Sequence, residues 1–470
     1  MESRAEVMRA VIVLPDGVGI RNFLLGPFLR LLQREASALV LHPIPDELLP
    51  LYSDGLDGQV TWRGLLPYRE GSLSSFLRYA ASYAHFHHFD TQGMRYVRSL
   101  SAAGGLRTRL GRRLARQLGK AMATPDGIAF LEKWRYRLGA RALEVTRYRQ
   151  IFLEMNPSVL FCSHQRPTEA VPTVLAARSL GIPTATFIFS WDNLSSKARI
   201  VAPYDHYLVW SSLMKREMDR YYPEVPQVRV HIVGTPQFDP YRDPALQLSR
   251  EEFCRWAGAD PNRPVICFSG SDLSTAPDDP AYVQIVMEEI RRGHIRHRPQ
   301  IVLRPAPVDT GERFEPVRQR FPELLYKVPD WLRTRRDWKG AIPLPADLTA
   351  LASLTYHCAL NLNVSSTMTL DFALRDKPVV NIAFDVTQPP PFGVPLWEFH
   401  FRFEHYLPVV RLGAARFARD RAELVKHINA YLDDATLDRE ARRKFADLEL
   451  DVPIGESSQQ VIEALKRISR

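Results

Sequence analysis

Cysteine is scarce in this chain: four residues in 470, far apart in the sequence. No Cys-x-x-Cys pair occurs, so no cysteine pattern supports a structural zinc site. The spacing gives no disulfide framework either. We therefore expect buried thiols and no bound metal. The four cysteines are Cys162, Cys254, Cys267 and Cys358.

Long apolar runs are also missing, because no uninterrupted stretch reaches the roughly 18 residues that a membrane-spanning helix needs. The most apolar stretch, residues 170–191, is broken by Pro172, Arg178 and Pro183. The chain starts with MESRAEVMRA and enters a short apolar segment, without the longer apolar core of a signal peptide. These absences predict a cytoplasmic protein.

Acidic residues are rare in one segment. Residues 101–150 carry twelve Lys or Arg against three Asp or Glu, a surplus that equals the net charge of +9 of the whole chain. From Arg107 to Lys120, basic residues interleave with a leucine at every fourth position, which predicts a helix with an apolar stripe and a basic face. The leucines are Leu106, Leu110, Leu114 and Leu118.

Two interpretations of this basic segment are open. It is either a solvated surface helix or a helix that lies on an anionic membrane, which would place the protein peripherally on the inner face of the membrane. No recognisable nucleic-acid-binding module accompanies the segment, so nucleic acid is not an expected partner.

Short apolar runs alternate with longer periodic segments along the chain. This pattern is typical of strands and helices around parallel sheets. Its 470 residues exceed what one hydrophobic core usually supports. We predict an α/β fold with two Rossmann-like domains facing each other across a cleft. The first, residues 1–238, is the acceptor side and carries a basic helical insertion at about residues 60–150. The second, residues 239–470, binds the donor. Its C-terminal helices either stay with this domain or pack back on the first domain.

In the C-terminal half, polar residues follow three predicted strands where each strand ends, and ligands of open parallel sheets bind at this edge. Hydroxyl residues can cap a following helix while its N–H groups attract an anion. A glycine lets a phosphate approach the backbone, and an arginine binds phosphate oxygens in pairs. An acid one helical turn further on can reach a ribose. The predicted nucleoside-diphosphate site consists of Ser269, Gly270, Ser271, Arg304, Ser365, Ser366, Thr367 and Asp371.

Residues 364–380, V-S-S-T-M-T-L-D-F-A-L-R-D-K-P-V-V, resemble the donor-site signature of GT-B glycosyltransferases. The segment VGTPQFD, residues 233–239, is similar to the element that ends the first domain in these enzymes. The resemblance covers residues 262–386 well. It implies diphosphate contacts from Ser365, Ser366 and Thr367 and a ribose contact from Asp371, where many members have Glu.

The chain also resembles bacterial surface-polysaccharide transferases and CDP-glycerol glycerophosphotransferase-like enzymes. In the phosphotransferases a His-Pro pair often follows the arginine. Here Arg304 and Pro305 are followed by Ala306 and Pro307. This departure argues against transfer of a polyol phosphate.

Three polar loops follow predicted strands in the N-terminal half, and an inverting transferase needs a general base on the acceptor side. The candidates are Asp192 in SWDN, His164 in SHQRPT and Asp16 in PDGVGIRN, where Gly19 is expected to loosen the turn. The SWDN segment resembles a subset of the surface-polysaccharide transferases. No Asp-x-Asp follows a strand, so we expect neither a metal nor another cofactor, and Arg304 with the helix N-terminus would meet the charge of the leaving diphosphate.

The leading hypothesis is therefore a metal-independent, inverting GT-B glycosyltransferase. It would move a sugar from a nucleotide-sugar donor to a saccharide or lipid-linked acceptor in the synthesis of a bacterial cell-surface polysaccharide. A nucleotide-sugar 2-epimerase and a polyol-phosphate transferase share the fold and are the enzymatic alternatives. A non-catalytic scaffold protein that keeps the fold is the alternative of another class.

Overall fold

The computed structural model describes residues 8–100, 105–333 and 340–470. The chain separates into two compact units, one formed by Met1–Asp239 with Leu450–Arg470 and the other by Pro240–Glu449. Within the described residues, no helix combines the length and the hydrophobicity that crossing a membrane requires. The first four residues of the basic segment, 101–104, lie outside the described residues.

The first unit is built on a seven-stranded parallel sheet in the order β3-β2-β1-β4-β5-β6-β7. Its central strands are continuous apolar runs, as expected where helices cover both faces of a sheet. Four aromatic rings, those of Phe23, Phe28, Phe161 and Phe187, meet in its core. The strands are β1 (Met8–Val13), β2 (Ala36–His42), β3 (Val60–Gly64), β4 (Val159–Cys162), β5 (Thr184–Phe187), β6 (His206–Val209) and β7 (Val230–Ile232).

Twelve helices are described in this unit, and the last of them comes from the end of the chain. They are α1 (Gly17–Phe23), α2 (Phe28–Leu32), α3 (Pro50–Ser53), α4 (Ser72–Phe89), α5 (Gln92–Ser99), α6 (Leu106–Ala121), α7 (Pro125–Gly139), α8 (Leu143–Met155), α9 (Val171–Ser179), α10 (Asn193–Ser196), α11 (Ser212–Tyr221) and α21 (Ser457–Ile468). Helix α21 contacts α2 and β4, and the ammonium group of Lys466 lies 2.5 Å from the carboxylate of Glu35.

The second unit has a six-stranded parallel sheet in the order β10-β9-β8-β13-β14-β15 and a separate antiparallel hairpin, β11-β12. The strands are β8 (Val265–Ser269), β9 (Gln300–Arg304), β10 (Leu325–Tyr326), β11 (Trp331–Arg333), β12 (Ala341–Pro343), β13 (Leu360–Asn363), β14 (Val379–Ile382) and β15 (Arg416–Ala418). The helices are α12 (Arg250–Ala257), α13 (Asp279–Arg291), α14 (Glu315–Arg320), α15 (Pro345–His357), α16 (Met368–Ala373), α17 (Leu396–Phe399), α18 (Leu407–Leu412), α19 (Arg421–Asp433) and α20 (Arg439–Glu449).

Local sequence explains where several of these helices begin and end. Helix α12 starts with a complete capping box, in which Ser249 and Glu252 bond each other's backbone N–H groups, and it ends at Gly258 in the left-handed conformation. Proline stands in the first turn of α7, α9 and α15, where its missing N–H costs nothing.

The start of the predicted helical insertion is wrong, because residues 60–64 form the edge strand β3. Only Val60 of this strand is buried, and Thr61, Arg63 and Gly64 supply no apolar run. An edge strand with so few apolar residues gives no strand signal in the sequence. Beyond β3, the described residues of the insertion contain five α-helices, α4 to α8.

Helix α6 sits on α4 through its small residues. Ala115 and Gly119 are its buried residues. An ideal Cβ atom on Gly119 would lie 2.5 Å from Tyr83 Cβ and 2.7 Å from the carbonyl oxygen of Ala80. The two helices can therefore approach this closely only because position 119 has no side chain.

Two glycines of α6 allow a matched test of this packing. Gly119→Ala is expected to destabilise the protein by about 1–3 kcal/mol, because the added methyl group meets backbone atoms that cannot move aside. Gly111→Ala, where nothing lies within 4 Å of the added Cβ, is expected to stabilise the helix by up to about 1 kcal/mol through helix propensity alone. Thermal denaturation of both variants checks this, and equal effects of the two substitutions would contradict the packing.

Candidate active site

Two of the polar loops predicted in the first unit meet at one edge of its sheet. Strands β1 and β4 are parallel neighbours, so the loops that follow their C-terminal ends lie side by side. Asp16 follows β1 and His164 follows β4, and Asp16 Oδ2 lies 2.5 Å from His164 Nδ1. Both side chains are buried. The structure thus joins two of the three predicted base candidates into one hydrogen-bonded pair.

The second carboxylate oxygen of Asp16 holds the start of helix α1. It accepts the N–H groups of Val18 and Gly19, each at 3.1 Å, as an N-cap residue does. Burial opposes ionisation of Asp16, but the charge and hydrogen bond of His164 together with the two N–H groups outweigh it and lower the pKa of Asp16. Asp16 is therefore an ionised acceptor whose position is fixed.

Burial lowers the pKa of His164, although the charge of Asp16 opposes this effect. The neutral ring donates its Nδ1–H to Asp16 and keeps a lone pair on Nε2. Within residues 8–100, 105–333 and 340–470, this buried Nε2 has no hydrogen-bond partner. The ring of Phe189 packs against the imidazole with the centroids 3.9 Å apart. A neutral imidazole oriented by a carboxylate is the arrangement that general-base catalysis requires.

Sequence reasoning missed two side chains beside this pair. Ser163 Oγ and Asn22 Nδ2 are buried and find no hydrogen-bond partner in the part of the chain that the structure describes. Ser163 directly follows β4, whereas Asn22 lies in α1 and has no such signal in the sequence. Gly19 also has another role than expected, because an ideal Cβ there would lie 2.2 Å from Ser163 Oγ. It does not merely loosen the turn; it lets α1 approach the loop after β4.

The pair predicts the pH dependence of activity. A general base at His164 must be unprotonated, and the pKa of His164 is lowered from 6.5, so for this assignment activity is expected to rise with pH through a midpoint below 6.5 and to be level at neutral pH. In Asp16→Asn the carboxylate charge no longer supports the imidazolium, so the midpoint is expected to fall further and the plateau to drop. A profile of kcat/KM against pH measures both. A midpoint that rises in Asp16→Asn would contradict this assignment.

Asp192, the first of the predicted base candidates, has other partners. It precedes helix α10, and its carboxylate lies 3.1 Å from Lys197 Nζ and accepts a hydrogen bond from Asn193 Nδ2 at 2.8 Å. Gln165, in the loop after β4, donates a hydrogen bond from its Nε2 to Asn193 Oδ1 at 2.8 Å. The loops after β4 and β5 are therefore bonded to each other. The carboxylate of Asp192 is thus bonded within its own loop.

The three strand ends predicted to bind a diphosphate lie at one edge of the sheet of the second unit. Strand β8 is flanked by β9 and β13, all three parallel, and Ser269 is the register partner of Arg304. The residues that follow β8, β9 and β13 are therefore neighbours, as the sequence predicted from three separate motifs.

The loop after β8 is occupied by internal hydrogen bonds. Gly270 N donates to the carbonyl oxygen of Arg304 at 2.9 Å, and Ser271 N donates to Asp279 Oδ2 at 2.7 Å. Ser269 Oγ accepts from Asn361 Nδ2 at 2.6 Å. Gly270 N, Ser271 N and Ser269 Oγ thus have partners within the protein, and the phosphate contacts of these three residues stay a prediction.

Gly270 is required here for packing. An ideal Cβ on it would lie 3.2 Å from Pro305 Cα and 3.3 Å from the ring of Phe314. The glycine therefore lets the loops after β8 and β9 pack closely. The buried carboxyl of Asp279, which accepts the N–H of Ser271, has its pKa raised by burial to about 7.

The guanidinium of Arg304 is bonded to a carboxylate through one of its two terminal nitrogens. Its Nη2 donates to both oxygens of Asp347, at 2.8 and 2.9 Å, and Asp347 also accepts the indole N–H of Trp331 at 2.7 Å. Arg304 Nη1 is buried and lacks a hydrogen-bond partner among the described residues. The orientation of the guanidinium is thus fixed while one nitrogen remains able to donate.

The turn after β13 is shaped by a buried amide. Asn363 Oδ1 accepts the N–H of Ser366 at 2.9 Å, and Ser366 Oγ accepts the N–H of Met368 at 3.2 Å. Thr367 occupies the position before α16 and makes no capping bond with its side chain. The capping hydroxyl is therefore that of Ser366. The side chains of Asn361, Thr369, Asn381 and Tyr406 extend this buried network, which sequence reasoning missed.

Asp371 is buried in α16 and accepts a hydrogen bond from the hydroxyl of Tyr241. The guanidinium of Arg375 lies over the ring of Tyr241, 4.8 Å from its centroid. One carboxylate oxygen of the predicted ribose-binding residue is therefore engaged by a tyrosine. No cluster of three or more His, Cys, Asp or Glu that could hold a metal ion occurs in the residues that the structure describes.

No protein-family model and no curated protein matches the sequence. Several solved structures share the fold along almost the whole chain. UDP-N-acetylglucosamine 2-epimerase from Rickettsia bellii has a TM-score of 0.53 at 10% identity, covering 98% of this chain and 96% of its own. UDP-GlcNAc 2-epimerase from Neisseria meningitidis, solved with UDP-GlcNAc bound, has a TM-score of 0.51 at 10% identity, covering 98% and 100%.

A glycosyltransferase from Rickettsia africae is similar to the same extent, with a TM-score of 0.53 at 10% identity over 98% of this chain and 99% of its own. At this identity the likeness shows the fold. Together with the two parallel sheets of seven and six strands, it confirms the predicted α/β class of two Rossmann-like domains, as found in GT-B proteins.

Proposed function

We propose that this protein is an enzyme that acts on a nucleotide-linked sugar, with His164 as its general base and Asp16 as the carboxylate that orients it. The observation that carries this proposal is the buried Asp16–His164 pair, whose Nε2 has no hydrogen-bond partner within the described residues. Burying an imidazole without satisfying both nitrogens costs free energy. A catalytic role accounts for that cost.

The nucleotide part of the proposal rests on the second unit. Its sheet edge carries Arg304 at the end of β9 and the turn of Ser365, Ser366 and Thr367 after β13, with β8 between them, and ligands of parallel sheets bind at such edges. We propose that Arg304 Nη1 and this turn contact the diphosphate and that Asp371 contacts the ribose, exchanging its bond with Tyr241 for one to the sugar. Ser269, Gly270 and Ser271 would support the edge from beneath. No metal is assigned to this step, because the guanidinium supplies the positive charge.

The reaction favoured by the structural neighbours is epimerisation at C2 of the sugar, since two of the three are 2-epimerases. Inverting C2 requires a base that removes the proton from that carbon while the C1–O bond to UDP breaks and a C1–C2 double bond forms. UDP then adds back to C1, and an acid returns a proton to C2 on the opposite face. The substrate and product have the same composition, so no acceptor is consumed. A buried neutral histidine fits the first of these tasks.

Glycosyl transfer is the second candidate, and the Rickettsia africae neighbour supports it. Here the base would take the proton of an acceptor hydroxyl, whose oxygen attacks the anomeric carbon while the nucleoside diphosphate leaves. Synthesis of a bacterial surface polysaccharide is the setting that the SWDN resemblance favours for this reaction.

Incubation with UDP-GlcNAc alone in D₂O separates the two reactions. An epimerase is expected to form a second sugar nucleotide and to place deuterium at C2, both visible by proton NMR, without releasing UDP. A transferase is expected to leave C2 protonated and to release UDP only when an acceptor is added. His164→Gln is the control in both cases. If UDP-, CDP- and GDP-sugars all remain unchanged with and without acceptors, the enzymatic proposal is wrong and a scaffold protein becomes the better account.

A further inference from the structure

Three leucines of α6 face solvent, although an apolar stripe on a helix usually faces a core. The exposed fractions of Leu106, Leu110 and Leu114 are 83%, 56% and 54%. These residues lie four positions apart and therefore on one side of the helix. We call them the leucine face. Exposed leucines are common singly, but three in one row form a continuous apolar surface.

The opposite side of α6 is the one that packs. Ala115 and Gly119 are buried against α4, and the guanidinium of Arg112 stacks over Tyr79 with 3.3 Å to the ring centroid. Ala115, Gly119 and the side chain of Arg112 thus form contacts of α6 with α4. The leucines are not needed for this packing, and the fold itself leaves them outside.

Positive charge borders the leucine face on both sides. Helix α6 contains six basic residues and no acidic one in the sequence LRTRLGRRLARQLGKA. Four of the basic side chains are exposed beside or between the leucines. They are Arg107, Arg109, Arg113 and Lys120.

We propose that α6 lies on an anionic phospholipid bilayer, with its leucine face among the acyl chains and its basic residues at the headgroup phosphates. A helix of 16 residues is about 24 Å long and can lie in the plane of the interface. The combination of basic residues with an apolar face argues against nucleic acid as the partner. Nucleic acid would bind the basic residues but would not bury the three leucines. The next helix, α7, also exposes Phe130 and Trp134, side-chain types found on the apolar faces of interfacial helices. This proposal does not rest on the proposed reaction.

Co-sedimentation with phosphatidylcholine vesicles that contain or lack phosphatidylglycerol tests the proposal. The wild-type chain is expected to bind the anionic vesicles and to stay in solution with the neutral ones. Reversing the charge of Arg107, Arg109 and Arg113 to Glu is expected to lower binding more than a hundredfold, since each basic residue near the surface contributes about fivefold. Replacing the leucine face by Gln is expected to lower it by at least about tenfold, because the apolar area can no longer be buried.

Matched variants separate this effect from a general change of surface. Leu51→Gln/Leu153→Gln/Val228→Gln changes three residues with exposed fractions of 52%, 64% and 81% elsewhere in the same unit, and it is expected to bind like the wild type. Melting temperatures of all variants establish that they fold. The proposal is overturned if the wild type does not bind anionic vesicles, or if the leucine variant binds them as strongly as the wild type does. Self-association of the wild type that the leucine variant loses, without vesicle binding, would instead assign the face to a second copy of the chain.

Discussion

His164→Ala is expected to lower kcat by about two to four powers of ten while the affinity for the nucleotide stays within a few-fold of the wild type. General-base catalysis contributes this range, and the substitution removes the base without touching the second unit. The imidazole is held on one side by Asp16 and on the other by the ring of Phe189. Its Nε2 has no hydrogen-bond partner among the described residues, and we propose it as the atom that accepts the proton. Steady-state kinetics with the substrate identified by NMR measures the effect.

Two variants show whether the loss comes from chemistry or from folding. His164→Gln keeps a hydrogen-bonding side chain of similar size and is expected to fold but to remain inactive. Asp192→Asn alters the other predicted base, whose carboxylate is bonded to Lys197 and Asn193, and it is expected to reduce kcat far less. If Asp192→Asn is the inactive variant and His164→Gln retains activity, the base has been assigned to the wrong loop.

Arg199→Met is expected to destabilise the first unit by about 3–5 kcal/mol, the cost of removing one partner from a buried ion pair. The guanidinium of Arg199 bonds Glu132 of α7 at 2.8 Å and His85 of α4 at 3.0 Å, and it also bonds Glu224. Burial keeps the pKa of His85 well below its usual value, so His85 is a neutral acceptor for this arginine. Arg199 thus ties two insertion helices to the loops that follow the sheet strands. Without it, the carboxylate of Glu132 loses the partner that offsets its desolvation.

Thermal denaturation measures the loss, which is expected to be on the order of ten degrees for a unit of this size. Arg178→Met is the matched control. Its guanidinium pairs with Asp205 near the surface, and removal of such a pair costs only about 0–1 kcal/mol. Similar shifts for the two variants would mean that the Arg199 network does not hold the insertion.

The two sheets were predictable because buried parallel strands are nearly continuous apolar runs, which α-helical segments separate. The Asp16–His164 pair was predictable in part. Both residues could be assigned to strand ends, but their contact depends on β1 and β4 being neighbours, and 145 residues of chain lie between these strands in sequence. Edge strand β3 escaped prediction because it buries only Val60. Helical periodicity defined the leucine face of α6 but could not tell which side of the helix would be covered.

The donor side shows why a motif does not define the contacts of its residues. Hydroxyl, glycine and arginine residues were correctly assigned to one sheet edge. Ser271 N, however, bonds Asp279, and Asp371 bonds Tyr241, a residue 130 positions away in the sequence. Such partners come from remote segments that fold onto the edge, and local patterns do not contain them. The hydrogen bonds among the buried amides of Asn361, Asn363 and Asn381 were likewise not predicted, because these residues lie within buried strands.

The most direct test of the central claim is nucleotide binding measured by thermal shift with UDP, CDP, CMP, GDP and ADP, each with and without Mg²⁺. A ligand at a hundred times its Kd stabilises the native state by about 2.7 kcal/mol. We expect one nucleoside diphosphate to raise the Tm by several degrees without Mg²⁺ in the wild type and in Tyr241→Phe, and to have no effect on Asp371→Asn. If no nucleotide shifts the wild type, or if Asp371→Asn responds in full, the protein is not the nucleotide-sugar enzyme proposed here.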